Sequence, residues 1–78
     1  MQFDQLKQII GDHLACELLE ISGDGRHFDA VIVSQAFEGL STLKRQQKVY
    51  AILNDWIRQG QLHAFSMKTY TPEEWARG

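Results

Sequence analysis

Two short apolar runs, CELLEIS (Cys16 to Ser22) and FDAVIVS (Phe28 to Ser34), are separated only by GDGRH. Glycines at positions 23 and 25 let the backbone take positive φ, so the segment predicts two antiparallel strands joined by a loop of about five residues. The next run of strand character, Leu62 to Thr69, comes after a long helical segment from Thr42 to Gln59 that Gly60 ends. A strand, a long helix and another strand permit a parallel pairing, and such crossovers are almost always right-handed. A hairpin followed by one crossover leaves few ways to build a sheet.

The remaining elements fit around that frame. Apolar residues at Phe3, Leu6, Ile9, Ile10 and Leu14, with His13 among them, paint one face of a helix from Phe3 to Leu14. Gly11 weakens its last turn by about 1 kcal/mol relative to alanine. FEGLS (Phe37 to Ser41) reads as a turn in which Ser41 caps the long helix. That helix carries a broad apolar stripe from Leu43 through Val49, Tyr50 and Leu53 to Ile57, with Lys44, Arg45 and Lys48 outside it. TPEE then places Thr71 as N-cap, Pro72 at the first helical position and Glu74 at the third, a capping box that starts a short helix through Trp75. The predicted class is α+β, ordered αββαβ(α), with a three-stranded sheet and its helices packed on one face.

Composition narrows the functional classes. At 78 residues the chain has room for one core, so a single domain over residues 1–78 is expected. Its one cysteine cannot form an internal disulfide and fits a reducing, cytoplasmic setting. The acidic, amphipathic N-terminus does not read as a signal peptide, and no apolar run approaches the roughly 20 residues a membrane span needs. A net charge of −2 gives no global attraction to nucleic acid or anionic lipid. Neither a catalytic Ser/His/Asp or Cys/His arrangement nor a phosphate-binding glycine motif is legible, so no enzyme and no small-molecule substrate are expected.

Three histidines carry what chemistry there is. His13 sits in the last turn of the first helix, where a partly buried imidazole suits the helix dipole. His27 closes the glycine-rich loop, and His63 opens the third strand on the side of Phe65 and Met67. These two lie 36 positions apart with no cysteine pair beside them, so they do not match a zinc-finger spacing. Two imidazoles cannot close a tetrahedral site, and any metal they hold needs ligands from elsewhere. Cys16 reads as a buried, inert thiol at the start of the first strand. Lys44, Arg45 and Lys48 form a small basic patch that could meet phosphates at a helix start, although three charges leave only a modest electrostatic footprint.

FEGLSTLKRQQKVY and LHAFSMKTYTPEEWA together resemble the hallmark stretches of the BolA family, and GDGRHF with KRQQKVY is most similar to its IbaG (YrbA-type) branch. The resemblance spans about Glu17 to Arg77. It implies an αββαβ fold like a type II KH domain. It also implies a partner: BolA-like proteins pair with monothiol glutaredoxins and share a bridging [2Fe–2S] cluster. There the glutaredoxin supplies a cysteine, glutathione a second thiolate, and the BolA-like protein a C-terminal histidine that matches His63. A Cys or His from the loop between the first two strands is the second ligand, and His27 stands at that position. Many members read Arg-His in the long helix where this chain has Arg45-Gln46, so no role for a helix histidine carries over. Replacing thiolate by imidazole makes such a cluster less negative and raises its potential. The resemblance also brings an alternative, a DNA-binding transcriptional regulator whose phosphate contacts would be Lys44, Arg45 and Lys48.

Overall fold

The computed structural model describes residues 1–78. It places α1 at Phe3–His13, β1 at Leu18–Gly23, β2 at His27–Val33, α2 at Thr42–Arg58, β3 at Ala64–Tyr70 and α3 at Pro72–Ala76, with a 3-10 turn at Gln35–Phe37. The sheet order is β1-β2-β3. β1 and β2 pair antiparallel, from Leu18 opposite Val33 to Gly23 opposite Phe28. β2 and β3 pair parallel, from His27 opposite Ala64 to Val33 opposite Tyr70. The expected hairpin and parallel crossover are both present, and the order is the expected αββαβ(α).

The hairpin is tighter than a five-residue loop. β1 continues to Gly23 and β2 begins at His27, which leaves Asp24–Arg26 as the turn. Asp24 organises it by accepting hydrogen bonds from the backbone N–H of His27 (2.8 Å) and of Arg26 (2.9 Å). Those bonds favour the ionised carboxylate, and they hold its pKa below the ordinary range. Gly23 has φ 137° and faces the partner strand so closely that a Cβ there would lie 2.0 Å from the His27 carbonyl oxygen. Only glycine fits.

The core fills the space between the sheet and the first two helices. α1 contributes Leu6 and Ile10, one turn apart on a single face, and Leu14 follows at its exit. β2 contributes alternate residues Phe28, Ala30 and Ile32, all buried, while His27 and Asp29 between them are exposed. From α2 come Val49 and Leu53, again one turn apart. Burying a side chain the size of Phe28 is worth roughly 1.5–3 kcal/mol. The predicted apolar stripe of α2 is broader than what the fold buries: Leu43, Tyr50 and Ile57 remain 63%, 40% and 38% exposed. Tyr50 packs edge-on against Phe65, and its hydroxyl donates to the Phe65 carbonyl at 3.1 Å.

Several predicted boundaries shift. β1 starts at Leu18, so Cys16 lies in the approach to it, half-buried, with its thiol donating to the Leu14 carbonyl at 3.3 Å. Burial pushes that thiol up, which agrees with an inert cysteine. His13 is exposed rather than partly buried, and its Nδ1 lies 2.9 Å from the Ile9 carbonyl. Both expected helix starts are present. Ser41 accepts from Lys44 N–H, and Thr71 and Glu74 form the full reciprocal capping box.

Candidate functional site

The parallel register of β2 and β3 decides where the two candidate ligands stand. His27 is the first residue of β2 and pairs with Ala64, the first residue of β3. His63 is the residue just before Ala64, so it precedes the strand rather than opening it. The Ala64 N–H donates to the Arg26 carbonyl at 3.3 Å, fixing the residue after His63 to the residue before His27. Two positions far apart in sequence thus share one end of the sheet, and both are exposed. By strand alternation His63 continues the row of Phe65 and Met67, and His27 the row of Asp29 and Val31.

His27 is not a loop residue. Its N–H is held by Asp24 and its carbonyl accepts from the Asp24 N–H at 3.2 Å, so the freedom of the imidazole lies in its own side-chain torsions. The Ser66 hydroxyl is 3.4 Å from His27 Nε2, and the Asp29 carboxylate is 3.6 Å from the same nitrogen. No group of three His, Cys, Asp or Glu side chains converges to hold a metal ion within this chain. Two imidazoles alone leave any metal centre short of ligands, so these residues would fit only one whose remaining ligands come from outside this chain.

The predicted basic patch does not survive in the form read from the sequence. Lys44 and Lys48 are exposed, but Arg45 is only 9% exposed and turns into the protein. Its guanidinium donates to both carboxylate oxygens of Glu74, at 2.7 and 3.0 Å, to the Leu40 carbonyl at 2.9 Å and to the Thr69 carbonyl at 3.3 Å. It also lies 5.9 Å from the centre of the Phe37 ring. Bonding to Glu74 raises the Arg45 pKa further, and in return Arg45 and the Thr71 N–H hold Glu74 down to about 2. With four of its five N–H donors committed and its charge paired with Glu74, Arg45 has little left to offer a phosphate. Helical periodicity placed Arg45 with the lysines, because a charge is expected to point outward; the paired carboxylate one element away could not be seen from that spacing.

Four further residues matter that sequence reasoning passed over or saw in another role. Asp24 sets the turn before His27, Asp29 and Ser66 flank its imidazole, and Glu74 grips Arg45 besides capping α3. The signals were faint: an Asp between two glycines, and an Asp two residues beyond a strand histidine.

Comparison with known proteins identifies the family of the fold. The family model described as BolA-like protein matches residues 10–74. The chain belongs to the BolA family. Among BolA relatives, the protein named Acid stress protein IbaG from Escherichia coli (strain K12) is 39% identical over 77 residues, covering 99% of this chain and 92% of that protein. A BolA protein homologue from Coxiella burnetii superposes with a TM-score of 0.87 at 38% identity, covering 99% of each chain. A protein named DNA-binding transcriptional regulator BolA from Haemophilus influenzae is 38% identical over 53 residues, covering 68% of this chain and 50% of that protein. The fold, its three-stranded sheet and its helices are those of the BolA family. No helix is long and apolar enough to cross a membrane.

Proposed function

We propose that this chain is a non-enzymatic, cytoplasmic BolA-like adaptor that pairs with a monothiol glutaredoxin, and that His63 and His27 supply imidazole ligands to a [2Fe–2S] cluster shared with that partner and glutathione. The observation that carries this reading is the β2–β3 register, which sets the two exposed imidazoles at one end of the sheet. When bound, such a cluster gives the pair a redox-active, acid-sensitive centre whose potential imidazole ligation raises. This chain's own share is to present two imidazoles from one end of the sheet, His27 on backbone that Asp24 already fixes. Because neither histidine is needed to fill the core, both are free to serve a partner.

The test is a titration of cluster-loaded monothiol glutaredoxin with this protein, followed by visible absorption and circular dichroism. A new heterodimer spectrum is expected, lost with His63→Ala and altered with His27→Ala. Spectra unchanged in both variants would sink the proposal.

The printed name of the Haemophilus influenzae relative favours a second reading, DNA binding. With Arg45 committed to Glu74, that reading rests on Lys44 and Lys48 alone. DNA affinity that falls with salt and with a Lys44→Glu, Lys48→Glu double substitution would support it.

A further inference from the structure

We infer that Asp29 and Ser66 are positioning residues for His27, holding its Nε2 so that Nδ1 is the nitrogen left to ligate. The inference rests on the cluster reading above and adds which ring nitrogen serves it and what fixes the ring. Three observations carry it. Asp29 and Ser66 are register partners on β2 and β3, so the parallel ladder holds them opposite each other. Both stand on the sheet face that His27 occupies, where the Asp29 carboxylate and the Ser66 hydroxyl lie 3.6 and 3.4 Å from Nε2. On the backbone side, His27 is held at its N–H by the Asp24 carboxylate and at its carbonyl by the Asp24 N–H. The backbone being held, the ring orientation is left to the side chain, and both of these groups approach the same nitrogen.

The chemistry follows from the imidazole itself. A neutral ring carries one N–H and one lone pair, and an acceptor beside Nε2 favours the proton there. The lone pair then belongs to Nδ1. Metal-binding histidines commonly give their second N–H to a carboxylate, which fixes ring orientation and makes the ligating nitrogen a stronger donor. Asp29 and Ser66 also line a shallow groove on the open face of the sheet. Ser66 stands beside both His27 and Asp29, its hydroxyl free to accept from Nε2–H or to donate to the carboxylate.

Two measurements test this. The first is long-range 1H–15N NMR of the protein alone, at a pH where its imidazoles are neutral. His27 is expected as a single Nε2–H tautomer in the wild type and as a mixture in Asp29→Ala, Ser66→Ala, with His63 unchanged as an internal control. All the substituted side chains are exposed, so the fold is retained. A mixture already present in the wild type, or a double variant that leaves His27 unchanged, overturns the inference. The second is the reduction potential of the cluster in the glutaredoxin complex. Asp29→Asn is expected to shift it to more positive values, because a less basic ligand stabilises the oxidised irons less, while Ser66→Thr retains the wild-type potential. A tautomer shift without any change in potential overturns the role toward the cluster. If His27→Ala leaves the heterodimer spectrum untouched, His27 is no ligand, and this inference falls together with that part of the proposed function. Where His27→Ala does alter the spectrum but Asp29→Asn leaves the potential unmoved, the inference fails and the proposed function stands.

Discussion

At the end of β3 that runs into α3, charge is consumed inside the fold. Arg45 reaches from α2 to Glu74, Leu40 and Thr69, and four of its five guanidinium N–H groups have an acceptor. At the opposite end, just before β3 begins, His63 and His27 stand exposed, His27 on backbone held by Asp24 and His63 next to Ala64, whose N–H bonds the Arg26 carbonyl. Both ends are built from residues of the family's hallmark stretches, yet one is saturated and the other is open. A strongly patterned segment therefore does not mark a binding surface uniformly: part of it holds the chain together so that another part can be presented.

Substitutions should separate the two ends sharply. The largest effect is expected from Gly23→Ala, which forces a Cβ against the His27 carbonyl at a positive φ and should cost about 3 kcal/mol in urea unfolding. It would show that the open end depends on a rigid turn. Next, Arg45→Ala should cost about 2 kcal/mol, between the values of surface and fully buried ion pairs, because it strands the Thr69 and Leu40 carbonyls and frees Glu74. Unchanged stability in that variant would erase the contrast between the ends.

A smaller, pH-dependent effect belongs to Glu74→Gln. The folded-state pKa of Glu74 is depressed from 4.5 to about 2, so its stabilisation is fully present above the ordinary value and is lost as pH falls through the folded one. The difference in Tm between wild type and Glu74→Gln should therefore be largest near neutrality, shrink below pH 4.5 and vanish near pH 2. A difference that stays constant down to pH 2 would mean the carboxylate charge plays no part. Smallest of all, His63→Ala and His27→Ala should each change stability by less than about 0.5 kcal/mol, as exposed side chains do. A larger loss would make these histidines structural and remove the distinction.

Much of the saturated end was visible in the sequence, but only in its local part. The Thr71-Pro72-Glu73-Glu74 cap is a short-range pattern and was read with its roles intact. The same Glu74 carboxylate also holds Arg45, a contact across 29 positions that no periodicity encodes. Helical spacing put Arg45 with Lys44 and Lys48, and only the ion pair explains why one of the three turned inward. For the open end the situation is reversed. Composition and spacing alone gave two isolated histidines, whereas the parallel register, a consequence of the α2 crossover, sets them at one end of the sheet. Asp29, two positions on in the same strand, left a faint trace in the sequence, whereas Ser66, across the ladder from it, left none.

The bonds from α2 to β3 have one more consequence. Ala64 and Tyr70 turn their backbone groups toward the β2 side, so Phe65, Met67 and Thr69 turn theirs to the sheet's free margin. Two of those three outward carbonyls are taken, Phe65 by the Tyr50 hydroxyl and Thr69 by Arg45. A strand arriving from another molecule would find two of its three acceptors occupied, and it would have to displace a tyrosine and an arginine to extend the sheet fully. The helix that makes the parallel crossover possible thus also obstructs strand addition at the β3 margin.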